Sequence, residues 1–269
     1  PMLKSVDGGK TFQPIQIPHV DQHQMWINPK NPSNIILAND GGTCITFNGG
    51  ESWSTQNNQP TAQFYRVITD DQFPYHIYGG QQDNSTVGIA SKTNMGGIQE
   101  KDWYRVAGGE SAFLAFNNPS DPQKIYGSSI LGFIDVFDRN TKMVKDIMAY
   151  PAVNLGSVPK DQKYRFNWNG PLTNNEKNPQ IIYHGGNKLL RSDDGGYKWT
   201  EISPDLTRND SSKQTVTGVP FTNEGAGGEV YNTISYIKSS AHEEEVIYVG
   251  SDDGLVHVTM DEGNTWKEV

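Results

Sequence analysis

Ser192-Asp193-Asp194-Gly195-Gly196-Tyr197-Lys198-Trp199 is the stretch that decides the fold, because its pattern occurs four times. The pattern is Ser/Thr-x-Asp/Asn-x-Gly-x-(Ser/Thr/Lys)-Trp/Phe, and we call its copies at 5–12, 46–53, 192–199 and 259–266 the box corners. In each copy the Asp or Asn can accept hydrogen bonds from its own turn, and the glycine can adopt a positive φ. The pattern therefore predicts rigid corners between β-strands. The side chains given this structural role are Asp7, Asn48, Asp194 and Asp261.

A longer unit surrounds the box corners and recurs at roughly the 40–50 residue period of propeller blades. Each unit holds short β-rich runs that are separated by Gly, Asn, Asp or Pro, and no segment keeps an apolar period of 3.6 residues. The pattern is that of the Asp-box, or BNR, repeat. The sequence therefore predicts an all-β fold, a β-propeller of four-stranded blades, with the box corners between the third and fourth strands.

The repeats predict about five and a half blades. Residues 1–17 supply the outer half of one blade, and the complete blades are assigned to residues 19–58, 61–106, 108–150, 164–204 and 229–269. A propeller exposes sheet edges unless its first and last blades pair. We therefore expect residues 1–269 to be a single propeller region of a larger multi-domain protein, whose other blades or domains complete it. A six-bladed ring with one thin blade is the alternative.

Composition excludes several classes of function. The net charge is −9 and Lys and Arg are not clustered, so binding to nucleic acid or to an anionic membrane surface is disfavoured. No apolar run is long enough for direct membrane insertion. The single cysteine, Cys44, cannot form an internal disulfide and is expected to be a buried small side chain. No motif for a cofactor is present, and none is predicted.

Loops at the end of the blades opposite the box corners are the expected place for a functional site, since propellers carry function on that face. The best candidate is the loop Gly79-Gly80-Gln81-Gln82-Asp83-Asn84, whose polar side chains blade packing does not require. Gln82, Asp83 and Asn84 are therefore predicted to bind ligand. A polar turn that only closes a hairpin is the alternative.

Aromatic and polar residues open two of the predicted blades. Tyr65 and Arg66 begin one, and the run from Tyr164 to Asn169 begins another. Rings beside amides and guanidinium groups suit a sugar or peptide surface, although alternation would place half of these rings in the core. The residues predicted to bind ligand here are Tyr65, Arg66, Arg165, Asn167 and Trp168.

Two further hypotheses concern acidic and imidazole side chains. His19, Asp21 and His23 alternate along a strand and share one side of it, so they are candidate metal ligands. The alternative is that they line the channel wall. His23 is also counted among the ligand-binding residues. The candidate catalytic carboxylates are Asp83 with Asp40 or Glu110.

The chain resembles the bacterial Asp-box propeller proteins that are sortilin-like or labelled glycosyl hydrolase-like. The resemblance covers nearly the whole chain and is carried by passages such as Asp21–Pro29, Phe73–Asn84, Arg165–Asn169 and Ile202–Thr207. It implies an exported protein with more than one domain, located outside the cell, in the periplasm or at the cell surface. It also implies a propeller that holds a peptide or glycan, or that takes part in assembly. A glycoside hydrolase that uses two carboxylates of the loop face is the alternative.

Overall fold

The computed structural model describes residues 2–59, 61–152, 154–222 and 228–269. These residues form β-strands that are joined by turns and by four short 3-10 segments, and they contain no α-helix. Accordingly, the described part of the chain has no helix that could span a bilayer. The chain divides into two compact units, Pro1–Gln63 and Phe64–Val269.

The smaller unit holds a two-stranded and a three-stranded antiparallel sheet. Its strands are β1 (Met2–Lys4), β2 (Gln13–Ile15), β3 (Gln22–Ile27), β4 (Ile35–Asn39) and β5 (Gly42–Thr46). A fourth strand was expected after the second box corner, but the described residues there form none. The Ser54 N–H donates to the Ile45 carbonyl at 2.9 Å, and the other described bonds from this segment to β5 involve side chains. The residues that follow are polar turn formers without β-branched apolar side chains, which favours a turn over a strand. Cys44, at the centre of β5, is fully buried as predicted.

The larger unit holds four antiparallel sheets of four strands, each paired in chain order. The first two sheets consist of β6 (Phe64–Thr69), β7 (His76–Gln81), β8 (Thr86–Ala90), β9 (Trp103–Arg105), β10 (Leu114–Phe116), β11 (Lys124–Ser128), β12 (Ile134–Asp138) and β13 (Met143–Asp146). The other two consist of β14 (Leu172–Asn174), β15 (Ile182–Gly185), β16 (Leu189–Ser192), β17 (Thr200–Glu201), β18 (Ile234–Ser239), β19 (Ile247–Ser251), β20 (Val256–Thr259) and β21 (Lys267–Glu268). The 3-10 segments are Glu100–Asp102, Ile130–Gly132, Pro159–Asp161 and Ser211–Lys213.

The first strands of these four sheets, β6, β10, β14 and β18, surround one cavity of about 200 Å³. We call it the central cavity, and its wall includes Arg66, Leu114, Leu172 and Ile237. Sheets whose innermost strands converge on an axis are propeller blades. The predicted fold class, an all-β propeller of four-stranded blades, is therefore confirmed. The number of blades in the complete ring stays a prediction.

The hydrophobic core lies between successive blades. One cluster joins Tyr78 of β7 to Phe116 of β10, whose ring centroids are 5.0 Å apart. A second joins Tyr126 to Ile182, and a third packs blades three and four of the larger unit together. Among the second strands of these blades, β15 is buried along its whole length, whereas Tyr248 on β19 is 46% exposed. Burying a large apolar side chain stabilises the fold by about 1.5–3 kcal/mol.

The carboxylates of the box corners bond to their own turns. Asp194 accepts hydrogen bonds from the Ser192 hydroxyl and from the Lys198 N–H, both at 2.9 Å. The bond from Lys198 holds the pKa of Asp194 below its usual range. Asp261 accepts the Thr265 N–H at 2.8 Å and the Thr265 hydroxyl at 2.7 Å. The corners at 192–199 and 259–266 thus fix the angle between the third and fourth strands of their blades.

The tryptophans of the box corners also join neighbouring blades, which the sequence did not indicate. Trp199 Nε1–H donates to the carbonyl of Ile147 at 2.9 Å, just after β13 of the preceding blade. Trp266 makes the same bond to Ile202, just after β17. Gly196 of the box corner permits the close approach of the two blades, since a Cβ at this position would lie 2.4 Å from Ile147 Cδ1. The corners are therefore contacts between blades as well as turns.

Replacing Trp199 by phenylalanine is expected to lower the free energy of unfolding by about 1–2 kcal/mol, through the lost hydrogen bond and the unfilled ring volume. Urea denaturation followed by circular dichroism measures the change. Tyr197→Phe, at an exposed position of the same corner, is the control and should change stability by less than about 0.5 kcal/mol. Equal stability of the two variants would contradict a contact between blades.

Candidate functional site

The loop face of the larger unit carries the residues that are brought together from the most distant parts of the chain. In a four-stranded meander, the turn between the second and third strands and the connection to the next blade lie at the same end. The turn after β7 therefore shares this end with the connections that follow β9 and β13. The box corners lie at the other end.

Five side chains from these loops and from β6 form a chain of hydrogen bonds, which we call the loop-face cluster. Its members are Tyr65, Gln82, Asp83, Glu110 and Trp168. Trp168 Nε1–H donates to the Tyr65 hydroxyl at 3.1 Å, and Tyr65 donates to Gln82 Oε1. Burial raises the pKa of Tyr65, so its hydroxyl stays protonated and able to donate. The cluster thus fixes two aromatic rings by polar contacts.

Two carboxylates complete the cluster. Gln82 Nε2 donates to Glu110 Oε2 and to Asp83 Oδ1, each at 3.0 Å. Because Gln82 Nε2 donates to both, Asp83 Oδ1 and Glu110 Oε2 are no more than about 6 Å apart. The ~5–5.5 Å separation of the two carboxyl groups in retaining glycosidases lies within this limit. However, Glu110 Oε2 also accepts the Asp83 N–H at 2.8 Å. Glu110 therefore positions the backbone of this turn at Asp83 and the side chain of Gln82.

Asp83 and Asn84 are turn residues as well as members of the loop face. Asp83 has a φ of 56°, in the left-handed region that Asp and Asn tolerate. The Asn84 N–H donates to the Gln81 carbonyl at 3.1 Å and closes the hairpin. Both side chains are exposed. These residues thus form a polar turn that closes the hairpin, and their role in binding a ligand stays a prediction.

Arg66 lies where the cluster meets the central cavity. Its guanidinium carbon is 3.6 Å from the centre of the Phe113 ring, and Nη1 donates to the Ser111 carbonyl at 2.6 Å. Nη2 donates to Asn169 Oδ1 at 3.5 Å. Burial lowers the pKa of Arg66, but a guanidinium remains charged in proteins. In the described ranges no carboxylate forms an ion pair with it.

Arg165, which the sequence predicted to bind ligand, is buried. It is 5% exposed, and its Nη2 lies 2.7 Å from Asp205 Oδ2. Its Nε–H donates to the Asn232 carbonyl at 3.2 Å. The connection from Tyr164 to Phe166 passes beneath the surface, so alternation does not bring Arg165 to the loop face. Arg165 therefore makes structural contacts, and its role as a ligand residue stays a prediction.

Asn167 bonds to the backbone next to the loop-face cluster. Its Oδ1 accepts the Trp168 N–H at 2.8 Å and the Val230 N–H at 3.2 Å. The Ser111 hydroxyl, in turn, donates to the Trp168 carbonyl at 2.9 Å. The backbone of Trp168 is therefore fixed by Asn167 of its own connection and by Ser111 of another loop. Ser111, Phe113 and Asn169 contact Arg66 but were not predicted as site residues from the sequence. Asn169 could have been included because it directly follows Trp168 in the chain.

The remaining candidates belong to the smaller unit. His23 Nε2 lies 2.6 Å from Asp40 Oδ1, and the Asp40 N–H donates to the Asp21 carbonyl at 3.3 Å. Asp21 thus contributes its backbone to this pair. In the parts of the chain that are described, no group of three or more His, Cys, Asp or Glu could hold a metal ion. His19, Asp21 and His23 therefore do not form such a group.

Comparisons with known proteins give similarity of fold only. No family model and no curated protein matches the chain. An ancestral GH74 enzyme aligns with 93% of this chain and 31% of its own, at 14% identity and a TM-score of 0.46. The structure of YCF48 bound to D1 peptide aligns with 99% of this chain and 74% of its own, at 10% identity and a TM-score of 0.42.

Two further solved structures have comparable values. An auxiliary nutrient binding protein from Bacteroides thetaiotaomicron aligns with 93% of this chain and 57% of its own, at 12% identity and a TM-score of 0.43. The chain spans 54% of a GH74 enzyme from Niastella koreensis, at 13% identity and a TM-score of 0.35 over 99% of this chain. No function is transferred from these similarities.

Proposed function

We propose that the protein is a binding module that holds a peptide at the loop-face cluster and the mouth of the central cavity. The observation that carries this proposal is the hydrogen-bonded chain from Trp168 through Tyr65 and Gln82 to Glu110. Preorganised rings and amides of this kind lose little conformational entropy when a ligand binds, which favours affinity. The aromatic faces supply contact area, and the fixed amides orient the ligand.

The central cavity supports a peptide over a glycan. Most of its wall is apolar, with Val67, Ile68, Leu114, Leu172 and Ile237 among its residues. Sugars present hydroxyl groups in all directions and need polar partners, whereas an apolar peptide side chain is complementary to such a wall. Arg66 and Asn169 at the edge of the cavity can bond to the backbone of a peptide.

A glycoside hydrolase is the second candidate, because Asp83 and Glu110 have a compatible separation. It is ranked lower since Glu110 Oε2 already accepts two N–H groups, from Gln82 and from Asp83. A general acid must instead present its carboxyl to the leaving oxygen. Asp40, the other candidate carboxylate, belongs to the smaller unit.

The wider context is also part of the proposal. The resemblance to exported Asp-box proteins supports a location outside the cell, in the periplasm or at the cell surface. The same resemblance supports an assembly role, with the propeller as one region of a larger protein. Protease accessibility of the protein on intact cells of its source tests this location, since a protected cytoplasmic protein would contradict it.

Peptide and glycan arrays probed with the whole chain test the binding function. For a peptide hit, Trp168→Ala is expected to weaken binding by roughly 30-fold, as removal of a buried aromatic anchor does. Tyr65→Phe removes only the hydroxyl and should weaken binding by about tenfold while the fold is kept. Isothermal titration measures both variants.

Tyr248→Ala is the matched control, because this ring is 46% exposed on β19 and makes no contact with the cluster. It should leave affinity unchanged. Release of reducing ends from a glycan hit, lost in Glu110→Gln, would support the hydrolase instead. Equal peptide affinity of the Trp168 and Tyr248 variants would overturn the proposed site.

A further inference from the structure

A second concave surface continues outward from the loop-face cluster along the blade formed by β10–β13. Two adjoining cavities, of about 350 Å³ and about 210 Å³, share Ser129, Phe133 and Asp135 in their walls. We call them together the outer groove. Gly108 and Gly109 line its inner part, while Val144 and Asp146 line its outer part. A ligand at the cluster would therefore meet the groove directly, since Glu110 follows Gly109 in the chain.

Glycine keeps the inner part of the groove open. A Cβ on Gly109 would lie 2.2 Å from the hydroxyl oxygen of Ser129, so a larger residue here would displace the Ser129 side chain into the groove. Gly108 has a φ of +86°, which L side chains rarely adopt, and its N–H donates to Asp135 Oδ1 at 2.5 Å. The backbone of Gly108 and Gly109 thus forms part of the wall of the groove.

The polar side chains of the groove are almost all acceptors. Asp135 and Asp146 face each other across β12 and β13, and Ser129 supplies one hydroxyl. The remaining side chains of the wall, such as Phe133 and Val144, are apolar. No Lys or Arg forms an ion pair with either carboxylate within the described ranges.

The pKa of Asp135 reflects this excess of acceptors. Burial, and in addition the negative charge of Asp146, raise the pKa of Asp135 to about 6, although the Gly108 N–H opposes the shift. A carboxylate in such surroundings is stabilised by a nearby cation. The groove therefore has negative charge in apolar walls, and no described Lys or Arg forms an ion pair with it.

We propose that the outer groove receives the side chain of a lysine or arginine of the peptide that is bound at the loop-face cluster. Ammonium and guanidinium groups only donate hydrogen bonds, so they match a pair of carboxylates that only accept. Their aliphatic stems suit the walls formed by Phe133 and Val144. A sugar hydroxyl both donates and accepts, and it would find few donors here. The inference rests on the proposed peptide function for its context, but not for its test.

The direct test uses a probe that needs no contact with the cluster. Nα-acetyl-lysine N-methylamide is titrated into the whole protein, and the amide resonances of Gly108 and Gly109 are followed by NMR. We expect saturable shifts that the norleucine analogue, without the charge, does not cause. Asp146→Asn should reduce the affinity for the lysine probe by about tenfold, the cost of one charge-assisted contact.

Asp71→Asn, an exposed carboxylate at the end of the sheets that carries the box corners, is the matched control and should leave the titration unchanged. Equal shifts from the lysine and norleucine probes, or no saturable shift, would overturn the cation site. Array results separate the two proposals, because peptide hits without any basic preference refute this inference alone. Failure of all peptides to bind, with a saturable lysine site present, refutes only the proposed function.

Discussion

Replacing Arg165 by methionine is expected to lower the free energy of unfolding by about 3–5 kcal/mol, the usual cost of breaking a buried ion pair. Asp205 would keep its hydrogen bonds from Asn187 and Thr207 but would lose the charge that compensates it. The Asn232 carbonyl would also lose its donor. Urea denaturation at neutral pH, followed by tryptophan fluorescence and circular dichroism, measures the change.

A surface ion pair provides the control for this prediction. Lys188 pairs with Glu201 at 2.7 Å, and both side chains are about one third exposed. Lys188→Met should therefore cost no more than about 1 kcal/mol. If the Arg165 and Lys188 variants were equally stable, and only peptide binding were lost in the former, Arg165 would be a ligand residue after all.

Replacing Asp135 by asparagine is expected to stabilise the protein at pH 7 by about 3 kcal/mol, because asparagine keeps the acceptor for Gly108 N–H and removes a poorly solvated charge. The pKa of Asp135 is raised from 3.8 to about 6 in the folded protein. Between these values the folded state binds more protons than the unfolded state. The penalty is thus complete above pH 6 and disappears as the pH falls towards 3.8.

The pH dependence distinguishes this cause from a change in packing. The gain from Asp135→Asn should fall to about 1 kcal/mol at pH 4.5, where the native carboxyl is already protonated. Comparison with the unchanged protein at each pH removes the contribution of His184, whose pKa burial lowers to about 4. A gain that is equal at both pH values would contradict the electrostatic explanation. Together with weaker lysine binding, the expected result would mean that Asp135 is kept for function at a cost in stability.

Local patterns in the sequence were sufficient for the fold class. The box corners depend on hydrogen bonds within eight residues, such as those from Ser192 and Lys198 to Asp194. Short alternating runs between Gly, Asn and Pro predicted strands, and their repetition predicted blades. The polar turn at Gln82 and Asp83 was recognised for the same reason, since its chemistry is local. The missing strand after Ser54 shows that even local patterns fail where the run of apolar residues is too short.

The contacts that make a site were decided by the tertiary structure. Tyr65 and Trp168 meet although 103 residues separate them, and Arg165, three positions before Trp168, is buried against Asp205. No local periodicity distinguishes these two outcomes, because both depend on how the connections between blades pass over their neighbours. The bond from Trp199 to Ile147 and the outer groove likewise arise only when blades pack side by side. The sequence by itself determined the repeated blade, since a strand and its turn need only near neighbours. Burial, pairing and cavities were set by the packing of distant segments.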